Sequence, residues 1–112
     1  MNQGDVLLAR VYFTDGGGPK LRPVIVMSGS AFNRGADRVC LPCSSRPTAT
    51  DPFAILIEET SPYFAATGLD GPTAIKWAKP VTIERSLLIR RLGTMHPDIM
   101  AQLRANIATL IS

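Results

Sequence analysis

Residues 16–28 read GGGPKLRPVIVMS, and the stretch divides in two. Three glycines and Pro19 form a loop. The apolar, β-branched run that follows predicts a buried strand from Pro23 to Ser28. Proline has no backbone N–H to give to a neighbouring strand, so Pro23 suits only the strand's first position. Arg22 then stands at the seam between loop and strand, and a simple connection does not require a guanidinium there.

Working outward, DVLLARVYF predicts a first strand over Asp5–Phe13, RVCLPCS a third and FAILIEE a fourth over Phe53–Glu59. A short strand at TAIKWA comes next, then a turn and a last strand ending at Gly93 in VTIERSLLIRRLG. Strands separated by turn signals at intervals of about ten residues indicate a small barrel or sandwich. The end of the chain differs: Ile99, Leu103, Ile107, Leu110 and Ile111 in HPDIMAQLRANIATLIS follow a helical period. Pro97 fits the first helical turn, and Asp98 fits the positive end of the helix dipole. The expected fold is therefore mainly β with a C-terminal helix, as one domain over residues 1–112.

The 112 residues are 46% hydrophobic and 19% charged, a globular composition that excludes a disordered chain. No apolar run approaches the ~20 residues of a membrane span. The start, MNQGDVLLARVYF, lacks a basic segment and a small-residue cleavage site. A cytoplasmic location is expected. The net charge of +3 permits nucleic acid as a partner, and Lys20, Arg22, Arg34, Arg38 and Arg46 make the first half locally cationic.

Several chemistries are disfavoured. GGGPKL is not a phosphate-binding P-loop, because Lys20 follows Pro19, precedes Leu21 and leads into a strand. Cys40 and Cys43 have C-x-x-C spacing, but on a strand they point to opposite faces, and a zinc site would lack ligands; both read as buried strand residues. With His96 the only histidine, a two-histidine ribonuclease is excluded.

If strands two and three are antiparallel neighbours, Arg22 lies beside Ser44 or Ser45. An arginine and a hydroxyl at one end of a barrel could bind an anion, or could cleave RNA using the substrate's own 2′-hydroxyl as nucleophile. A structural arginine beside a turn serine fits the same spacing.

The order GDVLLARVYF, KLRPVIVMS, FN, VCLPCSS, LGTM and a final helix resembles the MazF/PemK family of toxin endoribonucleases over nearly the whole chain. Its most specific pieces are Gly4–Asp5, Arg22–Pro23, Ser28, Pro42 to Ser45 and Gly93. The resemblance implies an SH3-like barrel that forms homodimers. It implies cleavage of single-stranded RNA at short sequences, with no cofactor or metal, leaving a 2′,3′-cyclic phosphate and a 5′-OH. It also implies a cognate antitoxin, expected to insert an acidic segment into the cationic groove.

The family's catalytic arginine falls on Arg22, and its catalytic threonine falls on Ser44. Lys20, Ser45, Arg46, Lys76, Trp77 and Lys79 are the expected RNA-binding residues, although a lone strand tryptophan also suits a core. Ser44 keeps the threonine's hydroxyl without its methyl. Ala78 and Lys79 stand where many relatives carry an acidic residue and glutamine, which removes a carboxylate and bears on specificity. The rivals are a gyrase-poison type of toxin and a weakened homologue that binds without cutting. His96 is expected to cap or flank the helix, and Arg10, Tyr12 and Phe13 belong to a dimer face or the core.

Overall fold

A computed structural model describes residues 1–12, 18, 20–45 and 51–112. Seven strands, β1 (Asp5–Val11), β2 (Lys20–Val26), β3 (Asp37–Ser44), β4 (Ile55–Ile57), β5 (Thr73–Ile75), β6 (Val81–Glu84) and β7 (Leu88–Thr94), form one antiparallel sheet. Its order is β4-β5-β3-β2-β1-β7, and β6 pairs with the first half of β3. A one-turn helix α1 (Phe64–Thr67) precedes β5, and helix α2 (Pro97–Leu110) ends the chain. Among the described residues no pairing joins the outer strands, so the sheet curls without closing.

Two apolar clusters explain why β1, β2 and β3 read as unbroken apolar runs. One face carries Val6, Ile25, Leu41 and Cys43 and packs under Ile99, Met100 and Leu103 of α2. The opposite face carries Leu7, Ala9, Val11, Val24, Val26 and Cys40, over which Ile83 of β6 and Leu88 of β7 fold. A strand buried on both faces needs no polar alternation.

β2 begins three residues earlier than Pro23, so Arg22 lies inside the strand, and Pro23 is an interior residue paired with Leu8. The backbone shows why proline is tolerated there. Val26 accepts from Gly4 on the β1 side, whereas Met27 donates to Val39 of β3. By alternation the missing N–H of Pro23 points towards β3, beyond Val24↔Pro42 where the β2–β3 ladder ends, and no ladder bond is lost. Pro42 is accommodated in a similar way. Its carbonyl accepts from Lys76 N–H at 3.0 Å, so its nitrogen faces the gap where β3 changes partner from β6 to β5.

Other boundaries moved as well. β1 ends at Val11, and Phe13 lies outside the described residues. The fourth strand shrinks to Ile55–Ile57, the length that β5 can pair, and β6 adds a short strand before the last one. The helix starts as expected: Pro97 is in its first turn, and His96 is its N-cap, with Nδ1 accepting from Asp98 N–H at 3.0 Å. Gly4 adopts φ +90° and ties two strands together, donating to Val26 at 2.8 Å and accepting from Met95 at 2.8 Å. Asp5 beside it is 8% exposed and pairs with Arg91 of β7 at 3.3 Å.

Candidate active site on the sheet face

Strand alternation sets the site. Val24 and Cys40 face away from α2, so Lys20 and Arg22 of β2 share that face with Pro42 and Ser44 of β3. Both residues lie two positions past Val24↔Pro42, the last pair of β2 and β3, at the same end of that face. Ala9 flanks Arg22 on one side and Ala74 flanks Ser44 on the other. The cation and the hydroxyl are half-buried, and the strand partner of each is a small side chain.

The row of Val24 and Pro42 also holds Lys76. Lys76 is joined to Pro42 through its backbone and points away from Ile75 and Trp77, which belong to the α2-side core. It therefore shares the face of Arg22 and Ser44. Its Nζ lies 2.7 Å from Asp51 Oδ2, and Asp51 Oδ1 accepts from Phe53 N–H at 2.9 Å. The Lys76 hydrogen bond, then the Phe53 N–H, hold the Asp51 carboxyl below its ordinary range. Exposed Lys79, whose N–H donates to the Lys76 carbonyl at 3.2 Å, adds to that pull. Sequence reasoning missed Asp51, because a partner 25 positions distant leaves no periodic signal; its only trace was a turn-forming Asp-Pro step.

The remaining expected residues divide. Lys20 lies on the site face at the exposed start of β2. Ser45 follows β3 on the other side and lines a cavity of about 540 Å³ with Leu21, Pro23, Asp70 and Arg90. Trp77, expected to stack on a base, is 8% exposed and sits in the α2-side core with Phe53 edge-on at 5.6 Å. Burial of the indole corrects that expectation. Arg46 lies outside the described residues. Arg10 and Tyr12 are exposed, which removes them from the core.

Cys40 and Cys43 are free thiols on opposite faces. Burial pushes both up to about 12, against a small lowering of Cys40 by Arg38 and a further raising of Cys43 by Cys40. Among the described residues no group of three or more His, Cys, Asp or Glu side chains could hold a metal ion, and no helix is long and apolar enough to cross a membrane.

Residues 2–111 match the family model described as PemK-like, MazF-like toxin of type II toxin-antitoxin system. No curated protein matches by sequence. Among solved structures the chain is similar to one in a MazE-MazF complex from Deinococcus radiodurans, with 22% identity, 99% of this chain and 95% of that chain covered, and a TM-score of 0.76. It is also similar to an endoribonuclease in complex with its cognate antitoxin from a mycobacterial species, at 21% identity, 99% and 94% coverage and a TM-score of 0.72. The Mycobacterium tuberculosis toxin MazF-mt6 is similar at 17% identity, 96% and 95% coverage and a TM-score of 0.73. At these identities the structural likeness carries the fold.

Proposed function

The chain belongs to the PemK-like, MazF-like toxins of type II toxin-antitoxin systems, and on that premise we infer that it is an endoribonuclease cutting single-stranded messenger RNA at Arg22 and Ser44. What supports this reading is strand alternation, which puts Arg22 and Ser44 on the same face of the sheet, each two residues past the last β2–β3 pair, Val24↔Pro42.

The reaction needs no protein nucleophile. A ribose 2′-oxygen attacks its own 3′-phosphate, the bond from phosphorus to the 5′-oxygen of the next nucleotide breaks, and a 2′,3′-cyclic phosphate and a 5′-OH result. The 2′-hydroxyl proton leaves, and the departing 5′-oxygen takes one up. A guanidinium is a donor with no acceptor, so the role of Arg22 is to stabilise the charge on the non-bridging oxygens. Its planar fork can span two of those oxygens. The Ser44 hydroxyl donates to the phosphate or aligns the 2′-OH, and Lys20, Lys76 and Lys79 supply cationic surface for the flanking backbone.

The likeness to toxins solved with their antitoxins supports a cognate antitoxin as partner. The active form is a homodimer, as the family resemblance implies; Leu110 and Ile111 at the end of α2 are 43% and 79% exposed and offer apolar surface for a second copy. A solution mass twice the 12.1 kDa of the chain is the expected result.

To test the reading, purified protein in excess EDTA is incubated with a long unstructured RNA beside Arg22→Ala and Ser44→Ala, and the cut ends are mapped. Discrete cuts ending in cyclic phosphate and lost in Arg22→Ala are expected. Absence of cuts, with growth arrest still seen on expression, moves the target to a protein such as gyrase. Binding of RNA without cuts identifies a homologue that has lost catalysis.

A further inference from the structure

Lys76 is already neutralised in the free protein. Its ammonium lies 2.7 Å from the Asp51 carboxylate, and the two side chains are 22% and 24% exposed. Asp51 is fixed from two directions, since its second oxygen accepts the Phe53 N–H. Lys76 occupies the row beside Ser44 on the same sheet face, diagonal to it across β3 and β5. Diagonal neighbours on a sheet stand about 7–8 Å apart, within reach of a long side chain. A strand with one phosphate at Arg22 and Ser44 can therefore bring a neighbouring phosphate to Lys76, where Asp51 already holds the place of an anion.

We propose that Asp51 is a resident counter-anion on the RNA-binding face, displaced from Lys76 by a backbone phosphate, and that it thereby sets the affinity and salt dependence of RNA binding. The proposal rests on the RNA-cleaving reading above. A partly exposed ion pair is weak enough to be exchanged. The displaced carboxylate stays beside the bound phosphate and cancels the charge that Lys76 brings, so the Lys76 contact adds little to the release of cations condensed on the RNA and is nearly absent from the salt dependence of the native protein. When the carboxylate is removed, Lys76 neutralises a phosphate outright, and the cation condensed there is released.

The test measures binding of a fluorescent, mixed-sequence 2′-O-methyl RNA, which lacks the attacking hydroxyl, as a function of salt concentration. Asp51→Asn retains an oxygen for the Phe53 N–H, and a thermal melt checks that the fold is kept. The expected result is binding up to about fivefold tighter and a slope of log K against log salt steeper by about 0.7, the contribution of one phosphate on a single strand. In a Lys76→Met background, Asp51→Asn leaves the slope unchanged. An unaltered slope in Asp51→Asn overturns the proposal, as does an equal steepening in both backgrounds, which would mark Asp51 as a general repulsive charge. If the native protein cuts ordinary RNA while Asp51→Asn has no effect, the counter-anion alone is refuted; if it neither binds nor cuts RNA, the enzymatic reading fails with it.

Discussion

Replacing Gly93 by alanine probes how tightly β7 is held against α1. A Cβ at Gly93 would collide with the backbone of Ala66 and Thr67, and Gly93 is itself paired with Val6 of β1. The atoms it meets are backbone, so no side-chain rotation relieves the overlap. Overpacking typically costs 1–3 kcal/mol, and a clash that must displace a strand or a helix belongs at the upper end, about 3 kcal/mol. Unfolding entropy of about 2.1 cal/mol/K per residue, multiplied by 112 residues, is about 0.24 kcal/mol/K, so the expected fall in Tm is about 13 °C. Gly29→Ala is the control, because nothing lies within 4 Å of a Cβ there. Thermal unfolding followed by circular dichroism at matched protein concentration gives both values. A Gly93→Ala protein that melts with the native one would refute the close approach of α1 to β7.

Leu103→Ala, at a fully buried α2 position in the core, is expected to cost about 3 kcal/mol by urea unfolding, and an unchanged midpoint would show that α2 does not seal that face. His96→Ala removes the side chain that accepts from Asp98 N–H and is expected to cost about 1 kcal/mol, whereas His96→Ser, which keeps an acceptor, restores most of it in the same assay. Native Cys40 and Cys43, pushed up to about 12 by burial, are expected to resist a thiol reagent at pH 8 and to react once unfolded. Their folded pKa values lie above the ordinary 9.0, so the stability tied to their protonation is full below about pH 9 and is lost as pH rises towards 12. The slope is up to about 1.4 kcal/mol per pH unit for each thiol, and Cys40→Ala/Cys43→Ala flattens it; an equal slope without the thiols would show that they do not titrate differently on unfolding.

How far the sequence exposed this fold depended on how local each signal was. The apolar runs of β1 and β3 and the helical period of α2 were readable, because burial of both strand faces and of one helix stripe is written into neighbouring residues. Pro23 misplaced the start of β2: a proline inside a strand looks forbidden until the backbone shows its nitrogen facing the point where the β3 ladder has ended. β4 was overestimated for a similar reason, since its length is set by the three residues of β5 that pair with it. At the site, strand alternation and family likeness together nominated Arg22 and Ser44. Trp77 was ambiguous because an indole on a strand suits a core and an RNA surface equally until its partners are known. Asp51 was invisible because its role depends on a contact 25 residues away.

The claim at the centre of this account is that Arg22 stabilises the charge that forms on the scissile phosphate. Its most direct test is the single-turnover rate of RNA cleavage, with enzyme in excess, for the native protein and for Arg22→Ala, alongside the affinity of each for uncleavable RNA. Loss of one preorganised charge-stabilising group predicts a fall in rate of about 10²-fold or more, well beyond any change in affinity. A rate that survives in Arg22→Ala, or falls only in proportion to binding, would contradict the assignment.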